Sequence, residues 1–206
     1  MKVAVLGGSF NPPHICHVFI SCYVLATAPV EQVWFVPCAK HAFGKTLAPF
    51  AHRLAMCRLA AETLRPDRVH VSAIEEDRPG TSWTIDTVRW LQAAHPAHEF
   101  TWIIGSDVLA ELDRWKDFDE LRQRIAFLVI PRAASGRGRP AAAPEPAHPI
   151  VRGLRDQIAA LERLDFRLPD ISSTLIRECV KRQQPIAHLV PQNVAAYIRA
   201  HKLYED

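Results

Sequence analysis

The run Gly7-Gly8-Ser9-Phe10-Asn11-Pro12-Pro13-His14-Ile15-Cys16-His17 constrains this chain more than any other feature, because it joins two apolar segments of different length. Ahead of it, Val3-Ala4-Val5-Leu6 reads as a short buried strand; behind it, residues 18–26 read as a buried helix. A strand, a glycine turn and a helix start in that order put backbone N–H groups and a helix N-terminus where they can meet an anion. His14 and His17, three residues apart, project from the helix start toward that same anion. The run is a nucleotide-phosphate site in outline.

Strand-like apolar runs recur at 33–36, 69–71, 100–104 and 126–130, with helix-like stretches in most of the gaps. Such alternation predicts an α/β fold, a Rossmann-like parallel sheet with helices on both faces. Residues 49–64 carry Leu54, Met56, Leu59 and Ala60 at helical spacing, and residues 84–94 follow a Pro79-Gly80 turn with Ile85, Val88 and Leu91 facing inward. Both read as crossover helices. From 131 to 149 the composition turns to Pro, Ala, Gly and Arg without apolar periodicity, which predicts a flexible surface loop or insertion. Beyond Arg152 the pattern predicts a helix, a short strand near Phe166, a helix opened by Ser172-Ser173-Thr174, and a last helix from about 191 to 200. These last two form a small C-terminal helical region, and Pro191 suits a first-turn position, where a missing N–H costs nothing.

A chain of 206 residues matches one α/β domain spanning 1–206. Its net charge of +3 suits anionic small molecules and makes no case for nucleic acid; Arg137, Arg139, Arg152 and Arg155 read as solvated linker cations. Five cysteines, an odd number with no CxxC pair, argue for reduced thiols. No charged leader precedes an apolar segment with a cleavage site, and no apolar run approaches the ~20 residues that span a bilayer. A cytoplasmic location without membrane contact is expected; oligomeric state is not legible.

The opening run resembles the GGxFxPxHxGH signature of the nucleotidyltransferase superfamily related to class I aminoacyl-tRNA synthetases. Near the far end, Ile171-Ser172-Ser173-Thr174-Leu175-Ile176-Arg177 is similar to the ISSTxIR signature of the nicotinate mononucleotide adenylyltransferases. Matches at 81–87, 103–107, Trp115-Lys116 and 118–121 extend the resemblance from Val3 to Tyr204.

The resemblance implies an enzyme that joins ATP and nicotinate mononucleotide, releasing pyrophosphate, in NAD biosynthesis. It implies that His14, His17, Lys45 and Arg177 carry the chemistry. Gly8, Ser9, Phe10, Gly105, Asp107, Ser172, Ser173 and Thr174 would bind ATP; Thr84, Trp115 and Arg132 would hold the mononucleotide. Mg²⁺ would arrive with ATP, held by phosphate and water rather than by a protein metal site.

These residue types suit the chemistry. Adenylyl transfer needs positioning and positive charge more than a covalent intermediate, so imidazole donors and a planar guanidinium are apt. A serine at a helix N-cap leaves neighbouring N–H groups for an anion, an acidic residue past a strand accepts from ribose hydroxyls, and an indole stacks on a flat pyridine. His14, Cys16 and His17 match no common zinc spacing. Cys16 stands where the signature has glycine, and its β-carbon is expected to crowd the adenine pocket. Three other readings stay open: a sister transferase with another phosphate acceptor, a non-catalytic nucleotide sensor, and RNA binding through the arginines between Arg137 and Arg155, which predicts salt-dependent affinity for polyanions.

Overall fold

The computed structural model describes residues 1–41, 44, 46–76, 78, 80–130 and 168–205. The segment expected as a surface loop, 131–149, and the strand expected near Phe166 lie outside the described residues. So do Lys45 and Arg132.

Five strands are present: β1 (Lys2–Gly8), β2 (Gln32–Pro37), β3 (Val69–Val71), β4 (Glu99–Gly105) and β5 (Ala126–Ile130). They form one sheet in the order β3-β2-β1-β4-β5, and every pairing is parallel. Parallel neighbours need long crossovers. Four helices supply them: α1 (Ile15–Thr27), α2 (Phe50–Glu62), α3 (Thr84–Ala94) and α4 (Phe118–Arg124), the last preceded by a 3₁₀ stretch at Ser106–Arg114. Two more helices follow, α5 (Ser173–Lys181) and α6 (Gln192–Ala200). No helix among the described residues is long and apolar enough to cross a membrane.

Successive strand side chains point to opposite faces of a sheet. Ala4 and Leu6 accordingly join Val33, Phe35 and Ile103 in a core against α1, α2, α5 and α6. Val3 and Val5 join Trp34, Val36, Phe100, Trp102 and Phe127 in a second core against α3 and α4. Both faces are covered, as the near-continuous apolar strands require, and each fully buried aliphatic side chain contributes about 1.5–3 kcal/mol. The C-terminal helices do not form a lobe of their own; Ile176, Val194 and Ile198 complete the first core.

Two boundaries differ from expectation. α1 begins at Ile15, and Pro191 occupies the N-cap of α6 with extended backbone (φ −53°, ψ 145°) rather than a place in the first turn. Leu189 accepts from the Ile15 N–H at 3.0 Å, so the loop ahead of α6 also ties down the start of α1.

The chain runs from β1 outward to β3 and then returns to the other side of β1 as β4. Strand order therefore reverses between β1 and β4, which opens a crevice at their C-terminal ends. Open α/β sheets bind ligands at such a switch point.

Candidate active site

Two cavities open there. The larger, about 290 Å³, is bordered by Gly8, Ser9, Glu75, Thr84, Trp115 and Lys116. The smaller, about 210 Å³, is bordered by His17, Gly105, Asp107 and Trp115 over an apolar floor that includes Ile20 and Ile130. Gly7, Trp102, Val108 and Trp115 line both, so the cavities lie side by side with a shared wall.

Gly7 is the hinge of that wall. It belongs to β1, and a Cβ built on it would lie 2.4 Å from Cζ2 of Trp102. The indole across the β1/β4 pair demands the glycine; the turn proper comes later, through Ser9 to Pro13. Phe10 turns with φ +45° and buries its ring, stacking on Phe35 at 5.4 Å and meeting His17 at 4.9 Å. Its side chain belongs to the core and borders neither cavity, so any contact it makes with a nucleotide would be through its backbone.

His14 caps α1 and is 2% exposed. Its backbone N–H donates to Nδ1 of His17 at 3.0 Å, and the two rings lie 3.9 Å apart. A nitrogen that accepts carries no proton, so the neutral His17 ring is protonated at Nε2. Of the two imidazoles, His17 borders the cavity and His14 lies beneath the helix start.

The distal motif meets the proximal one directly. Ser172 caps α5 by accepting from the Leu175 N–H at 3.2 Å. Ser173 Oγ donates to the Pro12 carbonyl at 2.8 Å, and Arg177 Nη1 donates to the Asn11 carbonyl at 2.8 Å. Arg177 Nη2 also reaches Thr174 Oγ1 at 3.3 Å. The three hydroxyl side chains expected at ATP thus engage the helix cap, the Pro12 carbonyl and Arg177, and none of them borders either cavity. Cys16 is buried and its thiol donates to the Pro169 carbonyl at 3.5 Å; it borders neither cavity, although its neighbour His17 borders the smaller one.

The far wall of the larger cavity rests on an ionic frame. Lys40 and Ser82 exchange two 3.0 Å hydrogen bonds, joining the loop after β2 to the segment before α3. Glu75, 4% exposed, accepts from the Ala39 N–H at 3.0 Å and from the Thr87 hydroxyl. Arg78 donates to Thr87 at 2.8 Å and to the Thr81 carbonyl at 2.9 Å. Asp86 then pairs with Arg89 and with Lys116, whose side chain borders the cavity. Glu120 accepts from Arg89 and Arg124, which hold its carboxyl down to about 2.

The sequence model described as cytidylyltransferase-like matches residues 5–179. Full-length likeness is more specific. A protein of Myxococcus xanthus (strain DK1622) named "Probable nicotinate-nucleotide adenylyltransferase" is 40% identical over 209 residues, covering 99% of this chain and 95% of its own. A protein of the same name from Anaeromyxobacter dehalogenans (strain 2CP-C) is 38% identical, covering 98% of this chain and 96% of its own. The chain belongs to the nicotinate-nucleotide adenylyltransferase family.

The solved structure of the Plasmodium falciparum nicotinic acid mononucleotide adenylyltransferase, complexed with NaAD, matches the fold with a TM-score of 0.74 at 18% identity, covering 99% of this chain and 97% of its own. The Rossmann-like architecture is thus that of the family, whose members are nucleotidyltransferases.

Three buried charges, Arg53, Glu75 and Arg78, lie outside the motifs that carry the family resemblance. Arg53 is 1% exposed and has no carboxylate partner among the described residues. Its guanidinium donates instead to the carbonyls of Ala48, Ser9, Cys38 and Ala39 at 2.8–3.2 Å. It staples the loop after β1 to the loop after β2. Its signal was present in helical spacing, since Arg53 shares the inward face of α2 with Met56, Cys57 and Ala60. Glu75 gave no comparable sign, because it stands in a turn whose partners come from other segments.

Proposed function

We propose that this chain transfers the adenylyl group of ATP to the phosphate of nicotinate mononucleotide, giving nicotinate adenine dinucleotide and pyrophosphate. The carrying observation is the pair of adjoining cavities with Trp115 in their shared wall, in a chain that belongs to this family by full-length likeness. One cavity takes the adenosine end and the other the pyridine end, so the two phosphates meet beside Gly7-Gly8-Ser9 and His17.

The acceptor phosphate oxygen attacks the α-phosphorus in line, a new P–O bond forms, and the bond to the β-phosphate oxygen breaks as pyrophosphate leaves. His17 gives its Nε2 proton as a hydrogen bond to the reacting phosphate, with no transfer of that proton needed. Arg177 spends one N–H on the Asn11 carbonyl, and its fork retains further donors for the leaving oxygens. Asp107 accepts from the ribose hydroxyls of ATP, with Gly105 giving the ribose room. Trp115 stacks on the pyridine ring, and Thr84, the first residue of α3, meets its carboxylate. Lys116 and Arg114 are the described cations on the larger cavity. They suit an acid rather than an amide.

Mg²⁺ would arrive with ATP and would neutralise triphosphate charge. Asp107 is the one carboxylate bordering the smaller cavity among the described residues, and both ring nitrogens of His17 are engaged, Nδ1 as acceptor and Nε2 as donor. A hard cation wants six oxygens, so this donor set fits an ion that brings phosphate and water with it.

Release of pyrophosphate from ATP and Mg²⁺ in the presence of nicotinate mononucleotide tests the reading. Turnover that is faster with nicotinate than with nicotinamide mononucleotide, and absent with phosphopantetheine, is the expected result. Turnover with phosphopantetheine alone would replace the acceptor; ATP binding without turnover would make the chain a sensor.

A further inference from the structure

The loop that carries the proximal motif is held by a residue from the other end of the chain. Tyr204 lies 193 residues beyond Asn11, and its hydroxyl donates to Asn11 Oδ1 at 3.0 Å. Getting there takes unusual backbone. After α6 the Leu203 N–H returns to the Ile198 carbonyl, and both Lys202 (φ +50°) and Tyr204 (φ +67°) stand in the left-handed region without being glycine. Such conformations persist where surrounding contacts over-determine them. Here the contacts are ring packing of Tyr204 on the first core and its bond to Asn11.

Asn11 is a junction. It is 3% exposed, and its side-chain oxygen takes a second donor, the Ala48 N–H, at 3.0 Å. Its carbonyl receives Arg177, and the next carbonyl, Pro12, receives Ser173. Two residues further on, the His14 N–H sets the ring of His17. A shift of Asn11 and Pro12 therefore moves the donor that orients His17 and the acceptor that orients Arg177. Burial pushes the Tyr204 phenol well above its ordinary value, so the hydroxyl stays a donor at any working pH.

We infer that Tyr204 is a positioning residue for adenylyl transfer, acting through Asn11 on His17 and Arg177. The inference rests on the proposed reaction, but its first readout does not. In the full-length chain, Tyr204→Phe keeps the ring and removes only the donor. Imidazole nitrogen signals of His14 and His17 in NMR should shift, while those of His70, on β3, stay in place. With melting temperature nearly unchanged, kcat should fall about tenfold, the size of one well-placed hydrogen bond, while KM for nicotinate mononucleotide stays within twofold. Added to Asn11→Ala, Tyr204→Phe should cost nothing more.

Unmoved His14 and His17 signals would overturn the inference, as would losses that add in the double variant. If Tyr204→Phe does not fold, Asn11→Ala decides alone, and unmoved imidazole signals in it overturn the inference equally. A wild-type chain without turnover would overturn the proposed reaction; the imidazole signals would still judge the coupling.

Discussion

The backbone N–H of His14 donates to Nδ1 of His17 at 3.0 Å, and this bond decides which nitrogen of His17 bears the proton. The imidazole that the proposed reaction uses is thus set up as an Nε2 donor by the cap residue of its own helix. The spacing of the two histidines acquires a physical meaning, since the backbone of one orients the ring of the other.

Removing that donor tests the arrangement. His17→Ala should lower kcat by about 10²–10³, the usual cost of losing one preorganised donor at a developing charge. His17→Asn, which can still donate, should recover part of the loss. Initial rates of pyrophosphate release on both variants check this, with ATP affinity measured separately by calorimetry.

Gly7→Ala places a methyl carbon 2.4 Å from Cζ2 of Trp102, well inside van der Waals contact. Trp102 is 6% exposed and packed in the second core, so it cannot simply rotate away. A loss of about 1–3 kcal/mol in stability is expected. Because Gly7 and Trp102 line both cavities, KM should rise for both substrates together. Thermal unfolding and a two-substrate rate matrix check it.

Arg53→Met conserves length and leaves four carbonyls without their donor. Charged donors to buried acceptors are each worth about 1.5–3 kcal/mol, less what water entering the site recovers. A fall in melting temperature of roughly 6–12 °C follows for about 3 kcal/mol in a domain of this size. Since Ser9 and Cys38 border the larger cavity, mononucleotide binding should weaken as well. Differential scanning calorimetry and titration with nicotinate mononucleotide check the two parts.

Glu120 sets an acid limit. Its folded value lies near 2, below that of an unfolded glutamate, because Arg89 and Arg124 hold the ionised form. The folded chain therefore binds this proton less readily than the unfolded chain. The stabilisation is present above about pH 4.5 and is lost as pH falls toward 2. Glu120→Gln should remove that part of the acid sensitivity while leaving kcat intact, and high salt should mimic it because the pair is exposed to solvent. Denaturant melts from pH 2 to 7 check it.

Trp115 lines both cavities and packs edge-on against Phe127 at 6.5 Å. Trp115→Ala should raise KM for the mononucleotide by about tenfold, the scale of aromatic stacking on one ring. Trp115→Phe should restore most of it. Steady-state kinetics with varied mononucleotide check both.

Much of this was legible in the residues themselves. Apolar runs at 3–6, 33–36, 69–71, 100–104 and 126–130 determine a parallel sheet, because strands buried on both faces have no polar alternation to show. Local rules also reach the Ser172 cap, since a cap is a matter of neighbours three residues apart. Only the tertiary structure decided that Phe10 faces the core, that Gly7 answers to Trp102, and that Arg53, Arg177 and Tyr204 converge on the loop between Gly8 and His14. Each of these depends on groups brought together from distant segments. Periodicity says which face a side chain takes, while the partner waiting on that face is chosen by the packing of the whole chain.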